Sequence, residues 1–109
     1  MKINELVEAV GVNSRDKGWR DPPPPMAEFI ALTHSELSEA LEEARDGRTM
    51  TEIYRNGSSA KPEGIPIELA DAVIRIADFC ELHGIDLEAA IEMKMDYNRT
   101  RPRRHGKVF

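Results

Sequence analysis

Four acidic residues form two pairs with identical spacing, Glu36 with Glu39 and Glu68 with Asp71. The i, i+3 spacing places both carboxylates of a pair on one face of a helix, one turn apart. Like charges at this spacing repel, and a bound divalent cation removes the repulsion. Carboxylate oxygens are the hard ligands that Mg²⁺ prefers. If the two helices pack antiparallel, the pattern predicts a site for Mg²⁺, with Mn²⁺ as a possible substitute.

The alternative is that these acids lie on solvated helix faces, where most glutamates lie. Both pairs have apolar neighbours: Leu37, Ala40 and Leu41 beside the first, and Leu69, Ala70, Ala72 and Val73 beside the second. These neighbours favour a half-buried site, and buried carboxylates need partners or a metal. The residues alone leave both interpretations open.

The charge distribution separates an acidic body from a basic end. From Lys94 onward the chain has six Lys or Arg and one acid, Asp96, a net charge of +5. The preceding 93 residues have nine Lys or Arg and nineteen acids, a net charge of −10. The acidic body argues against a general nucleic-acid binder. The asymmetry instead suits a small polyanion held between a metal and the basic tail.

The hydrophobic pattern predicts a single all-α domain over residues 1–109, with four main helices near residues 2–17, 26–46, 65–83 and 86–98. Each of the last three helices has a predicted apolar stripe. The residues are Ile30, Leu37, Leu41 and Ala44 on the second helix, Leu69, Val73, Ile76, Ala77 and Cys80 on the third, and Leu87, Ala90, Ile91 and Met95 on the fourth. Packed against one another, these stripes predict a helical bundle.

The segments between the helices have weaker signals. Gly11 predicts an end or a bend in the first helix, and residues 18–25, with four consecutive prolines, predict a stiff loop. Residues 50–54 suit a short helix, and residues 56–59 carry a loop signal. The basic tail, residues 100–109, is expected to be irregular.

No apolar run is long enough to cross a bilayer, and the N-terminal residues lack the apolar core of a signal peptide. A single cysteine, Cys80, excludes an internal disulfide and suits a reducing cytoplasm. We therefore expect a cytoplasmic protein that acts neither on membranes nor on nucleic acid. Because a short chain buries a modest core, a homodimer or homotetramer is also expected.

Two acidic pairs on consecutive helices, 28 residues apart, resemble the metal motif of the MazG-like all-α nucleoside triphosphate pyrophosphohydrolases. The similarity spans roughly residues 26–109 and includes the segment Lys94-Met95-Asp96-Tyr97-Asn98-Arg99-Thr100-Arg101-Pro102 with Arg104-His105-Gly106-Lys107 behind it. The resemblance implies Mg²⁺-dependent cleavage between the α and β phosphates, which yields a nucleoside monophosphate and pyrophosphate. It also implies a role in removing non-standard nucleotides.

The resemblance further implies roles for individual residues. Glu36, Glu39, Glu68 and Asp71 would hold the metal, and either Glu36 or Glu39 would orient or deprotonate the water. Lys94, Tyr97 and Asn98 would lie near the phosphates or the metal. Contacts to the polyphosphate are implied for Arg101, Arg103, Arg104 and Lys107. Trp19, the only tryptophan, is a candidate to stack on the base, although packing against a partner subunit is an alternative use.

Three rival interpretations remain. The same fold with another substrate would be a phosphoribosyl-ATP or dUTP pyrophosphohydrolase. A non-catalytic module would bind the nucleotide without turnover. A purely structural helical dimer would keep its acids solvated and bind no metal.

Overall fold

A computed structural model describes residues 1–58 and 60–109. Over these residues the chain forms four α-helices, α1 (Ile3–Asp16), α2 (Met26–Arg45), α3 (Ile65–Leu82) and α4 (Leu87–Arg99). A short 3₁₀ segment, Arg103–Gly106, follows α4. The described part of the chain has no β-strand, so the predicted all-α fold is confirmed. None of the described helices combines the length and apolar character needed to span a bilayer.

The ends of α3 and α4 follow the local sequence. Pro66 lies in the first turn of α3, where its missing N–H has no helical partner to lose. After α3, Gly84 adopts a positive φ of 65°, which favours glycine. Asp86 caps α4 by accepting a hydrogen bond of 3.0 Å from the Ala89 N–H. These features confirm the predicted boundaries to within about a residue.

Gly11 does not end or bend α1, contrary to the sequence prediction. The helix continues to Asp16, and the side chain of Glu81 from α3 lies directly against the Gly11 backbone. A Cβ at this position would lie 2.5 Å from the Glu81 carboxyl carbon. The glycine therefore permits a close approach between α1 and α3 rather than marking a break.

The predicted short helix at residues 50–54 is also wrong. Tyr54 and Glu63 exchange backbone hydrogen bonds of 3.0 and 2.8 Å, which form an isolated antiparallel bridge. The Tyr54 hydroxyl donates to the carboxylate of Glu43 at 2.8 Å, and the Arg48 guanidinium lies over the Tyr54 ring. These contacts hold the segment extended against α2. The predicted loop at residues 56–59 contains a turn at Gly57 and Ser58, while Ser59 lies outside the described residues.

Helix α3 packs against both α2 and α1, and α4 packs against α1. Helices α2 and α3 run antiparallel, because Phe29 stacks on Phe79 near one end and Glu36 meets Arg75 nearer the middle. The buried core lies between α1 and α3, where Val7, Ala77 and Cys80 pack together. The predicted core position of Cys80 is confirmed.

Most of the predicted apolar stripes on α2 and α3 face outward instead. Exposed members are Ile30, Leu37, Leu41, Leu69, Val73 and Ile76. On α4, Ala90 and Met95 are exposed, and only Leu87 and Ile91 are half-buried. The positions buried on α2 and α3 are Thr33, Glu36, Ala40, Ile65, Glu68, Ala72, Ala77 and Cys80. The buried positions of α2 and α3 are thus mostly small or acidic residues, while many of the larger aliphatic residues remain on the surface.

The basic tail is irregular, as predicted, although Arg103–Gly106 is assigned as 3₁₀ helix. Arg104 and His105 have positive φ values of 56° and 53°, which lie outside the helical region. The Arg101 and Arg104 side chains donate hydrogen bonds to the His105 and Val108 carbonyls. The described tail is therefore folded on itself by its own side chains.

Candidate metal centre

The antiparallel packing of α2 on α3 brings three carboxylates together. One oxygen each of Glu36, Glu39 and Glu68 lies within 4.8 Å of the other two. This separation is close to the roughly 4.2 Å between opposite ligand oxygens around one Mg²⁺. Glu36 and Glu68 are buried between the helices, whereas Glu39 is exposed. We call these three residues the acidic cluster; the burial of Glu36 and Glu68 argues against an ordinary solvated face.

Glu68 has an oxygen that lacks a partner. Its Oε2 is buried and accepts no hydrogen bond from the described residues. Burial, together with the neighbouring carboxylates of Glu39 and Glu36, raises the pKa of Glu68 to about 8. A buried carboxylate oxygen without a hydrogen-bond partner is energetically unfavourable, and a cation is one partner that would satisfy it. The residues present therefore fit a divalent metal.

Asp71 lies beside the acidic cluster rather than within the three-oxygen group. It is half-buried on α3, one turn after Glu68, and lines the same cavity as Glu36. Burial and the Glu36 charge raise the pKa of Asp71, while Arg75 and Lys61 act in the opposite direction. The structure thus brings three of the four predicted ligands together and places the fourth at their edge.

The raised pKa of Glu68 predicts how stability depends on pH. Between the usual pKa of about 4.5 and the raised value of about 8, the folded state keeps a proton that the unfolded state releases. Metal-free protein should therefore lose stability as pH rises through this window, by at most about 1.4 kcal/mol per pH unit for one proton. Thermal unfolding in EDTA from pH 5 to 8 measures the effect.

Glu68→Gln is the matched control for this pH dependence, since glutamine resembles the protonated acid and does not titrate. The stability of the wild type relative to Glu68→Gln should fall with pH in EDTA, and Mg²⁺ should reverse the trend. A difference that stays constant, or that increases with pH, would contradict the assignment.

Arg75 is bound to the acidic cluster and was not singled out by the sequence analysis. Its Nε donates a hydrogen bond of 3.0 Å to Glu36 Oε1. Burial alone would raise the pKa of Glu36, but hydrogen bonds from Arg75 and Glu68 lower it overall. The available signal was the i, i+4 spacing from Asp71 to Arg75, which places the guanidinium on the face that carries the acids.

A cavity of about 550 Å³ opens next to the acidic cluster. Its lining includes the charged residues Glu36, Asp71 and Arg75 and the apolar residues Trp19, Leu32 and Ile74. The Trp19 side chain is 73% exposed, so a planar group can reach its ring. The cavity lining therefore combines charged and polar side chains with apolar ones, a common character for a small-molecule site.

A hydrogen-bonded network fixes the loop that carries Trp19. Arg20, whose side chain is 11% exposed, binds Asp78 Oδ1 at 2.6 Å and Glu81 Oε2 at 2.5 Å. Ser14 on α1 donates to the other Asp78 oxygen at 2.8 Å. Burial alone would lower the pKa of Arg20, but Asp78 and Glu81 raise this pKa above its usual value. Arg20 and Asp78 are further contributors to the site that the sequence analysis did not identify.

The predicted phosphate-binding residues lie away from this network. Lys94, Tyr97 and Asn98 lie near the end of α4, which packs on α1. The Lys94 ammonium and the Arg101 guanidinium are 4.9 and 5.3 Å from the Tyr97 ring centroid. Asn98 Oδ1 is buried and has no partner in the described part of the chain. Arg103, Arg104 and Lys107 follow in the exposed tail. Within the described residues, no hydrogen bond or ion pair joins this group to the acidic cluster.

Comparison with protein-family models, with curated proteins and with solved structures gives no significant match to this chain. The resemblance to the MazG-like pyrophosphohydrolases therefore rests on the acidic pairs and the basic segment alone.

Proposed function

We propose that the protein is a Mg²⁺-dependent nucleoside triphosphate pyrophosphohydrolase that cleaves between the α and β phosphates. The observation that carries the proposal is the convergence of Glu36, Glu39 and Glu68, with a buried, unpartnered oxygen on Glu68, at the edge of a cavity. A solvated acidic face does not account for that oxygen. The cavity provides space for the nucleoside next to the acids.

Glu36, Glu39, Glu68 and Asp71 are the residues that would hold Mg²⁺, with Mn²⁺ as a substitute. A bound cation of this kind supplies neutralising charge for the phosphates and makes water more acidic. Glu39 is the exposed member of the acidic cluster and is therefore best placed to orient or deprotonate water. Glu36, already engaged by Arg75, is the alternative.

The remaining residues would bind the substrate. Trp19 borders the cavity and would stack on the base, or alternatively pack against a partner subunit. Lys94, Asn98 and Arg101 would supply hydrogen-bond donors to the polyphosphate. The Tyr97 ring, which lies near the charged groups of Lys94 and Arg101, would position those two side chains. Arg103, Arg104 and Lys107 would add positive charge. Attack of water on the anhydride gives a nucleoside monophosphate and pyrophosphate, and non-standard nucleotides are the proposed physiological substrates.

A nucleotide panel with identification of the products tests this proposal. Normal and modified triphosphates, dUTP and phosphoribosyl-ATP are each incubated with Mg²⁺ and followed by phosphorus NMR. The expected result is Mg²⁺-dependent release of pyrophosphate from at least one triphosphate. A preference for dUTP or phosphoribosyl-ATP would favour that rival substrate. Binding without turnover would identify a nucleotide-binding module, and neither binding nor turnover would refute the proposal.

We further propose that two or more copies of the chain assemble through the outward faces of α2 and α3. Leu37 and Leu41 lie one turn apart on α2, and Leu69 and Val73 do so on α3, yet all four are 47–60% exposed in the single chain. The radius of gyration is 16.6 Å, compared with about 13 Å for a compact domain of about 100 residues. A second copy packed on these faces would bury the exposed leucines.

Leu41→Glu is expected to produce a monomer, because a charge inside an apolar interface costs more than the interface gains there. Light scattering after size exclusion measures the change, with the wild type expected to be at least a dimer. Ile53→Glu is the matched control, since Ile53 is also exposed but lies outside α2 and α3. A monomeric wild type, or equal dissociation by both variants, would exclude this interface.

A further inference from the structure

Arg75 is a basic side chain in direct contact with the acidic cluster, and it also lines the cavity. Its Nε is 3.0 Å from Glu36 Oε1, and its side chain is 39% exposed. The hydrogen bond to Glu36 uses Nε alone, and Nη1 and Nη2 donate no hydrogen bond within the described part of the chain. The guanidinium therefore has unused donors beside the cavity.

The contact with Glu36 places the positive charge of Arg75 beside a carboxylate that is proposed to bind a cation. The same carboxylate oxygen that accepts from Arg75 belongs to a residue of the three-oxygen group. A divalent cation on Glu36 would repel the guanidinium and weaken its hold on the carboxylate. Arg75 and the cation therefore compete for Glu36.

A guanidinium displaced from Glu36 has a natural alternative partner. Its planar fork of donors matches the oxygens of a phosphate group and can bind two of them at once. Asp71 is one turn away on the same helix, and both residues line the cavity next to Glu36. The flexible side chain can stay at the cavity wall while it exchanges a carboxylate for a phosphate.

We propose that Arg75 is a phosphate-binding residue that occupies Glu36 until a divalent cation takes that carboxylate, and that then binds a phosphate group of the substrate. This inference rests on the proposed function, because the phosphate group belongs to the nucleotide substrate. Arg75 would thereby couple cation binding to substrate binding, since each event makes the other more favourable.

The first test measures Mn²⁺ binding by electron paramagnetic resonance in the absence of nucleotide. Arg75→Gln should bind Mn²⁺ about three- to tenfold more tightly than the wild type, because the competing charge is gone. Arg75→Lys keeps the charge and should stay close to the wild type. Arg45→Gln, which removes an exposed arginine from an ion pair on α2, should have no effect. Unchanged or weaker Mn²⁺ binding by Arg75→Gln would overturn the competition.

The second test measures steady-state hydrolysis of the preferred triphosphate with saturating Mg²⁺. Both Arg75→Gln and Arg75→Lys should raise KM about ten- to hundredfold, since neither provides the planar fork. A KM like that of the wild type in both variants would overturn the phosphate role. If the wild type hydrolyses no nucleotide, the proposed function and the phosphate role both fail, while the Mn²⁺ measurement still decides the competition.

Discussion

Glu39→Gln and Asp71→Asn are each expected to reduce Mg²⁺-dependent pyrophosphate release by roughly 100-fold or more. Each substitution preserves the size of the side chain and removes one negative charge from the proposed metal site. Glu39 is exposed and Asp71 is half-buried, so neither change leaves a large cavity or a new buried charge. The helical circular dichroism should therefore remain close to that of the wild type.

Glu42→Gln is the matched control for these two variants. Glu42 lies on α2 three residues after Glu39, and its exposed carboxylate pairs with Arg45 rather than with the acidic cluster. Surface ion pairs of this kind contribute little to stability, so Glu42→Gln should keep nearly full activity. Retained turnover in both Glu39→Gln and Asp71→Asn would remove the metal assignment.

Gly64→Ala is expected to lower the free energy of unfolding by about 2–4 kcal/mol. Gly64 has a φ of 128°, which side chains rarely adopt, and a Cβ there would overlap the backbone carbonyl oxygen of Glu52. Neither group can move easily, because both belong to backbone near the Tyr54–Glu63 bridge. The Gly64 carbonyl also accepts a hydrogen bond from the Glu68 N–H, so the same change disturbs the start of α3.

Urea unfolding of Gly57→Ala supplies the control for this effect. Gly57 also has a positive φ, 56°, but a Cβ there would meet no atom of residues 1–58 and 60–109 within 4 Å. Gly57→Ala should therefore lower the free energy of unfolding by only about 1 kcal/mol, the cost of a positive φ for a residue with a Cβ. Equal losses in the two variants would show that the contact with Glu52 is unimportant.

The sequence predicted the helices well, because helix boundaries depend on local signals. The Asp86 cap, the proline at the start of α3 and the glycine after it are all local signals. The i, i+3 spacing of the acids likewise follows from helix geometry. The antiparallel packing that brings Glu36, Glu39 and Glu68 together depends on tertiary contacts, which local spacing does not reveal.

Features that depend on tertiary contacts could not be predicted from local sequence patterns. Gly11 looked like a helix break because nothing local reveals that Glu81 packs against it. The Arg20–Asp78 ion pair joins residues 58 positions apart, so no local pattern could indicate it. The apolar stripes of α2 and α3 were predicted to be buried, yet most of their residues are exposed in the single chain. Periodicity cannot tell whether a stripe packs within the chain or against another copy.

Mn²⁺ binding to the wild type and to Glu68→Gln at pH 7.5, followed by electron paramagnetic resonance, tests the central claim most directly. The claim is that the acidic cluster holds a divalent cation, and Glu68 carries the buried oxygen that lacks a partner. The wild type should bind Mn²⁺, and Glu68→Gln should bind it at least about tenfold more weakly. Equal binding by the two proteins, or no binding by the wild type even with a non-hydrolysable triphosphate present, would contradict the metal site.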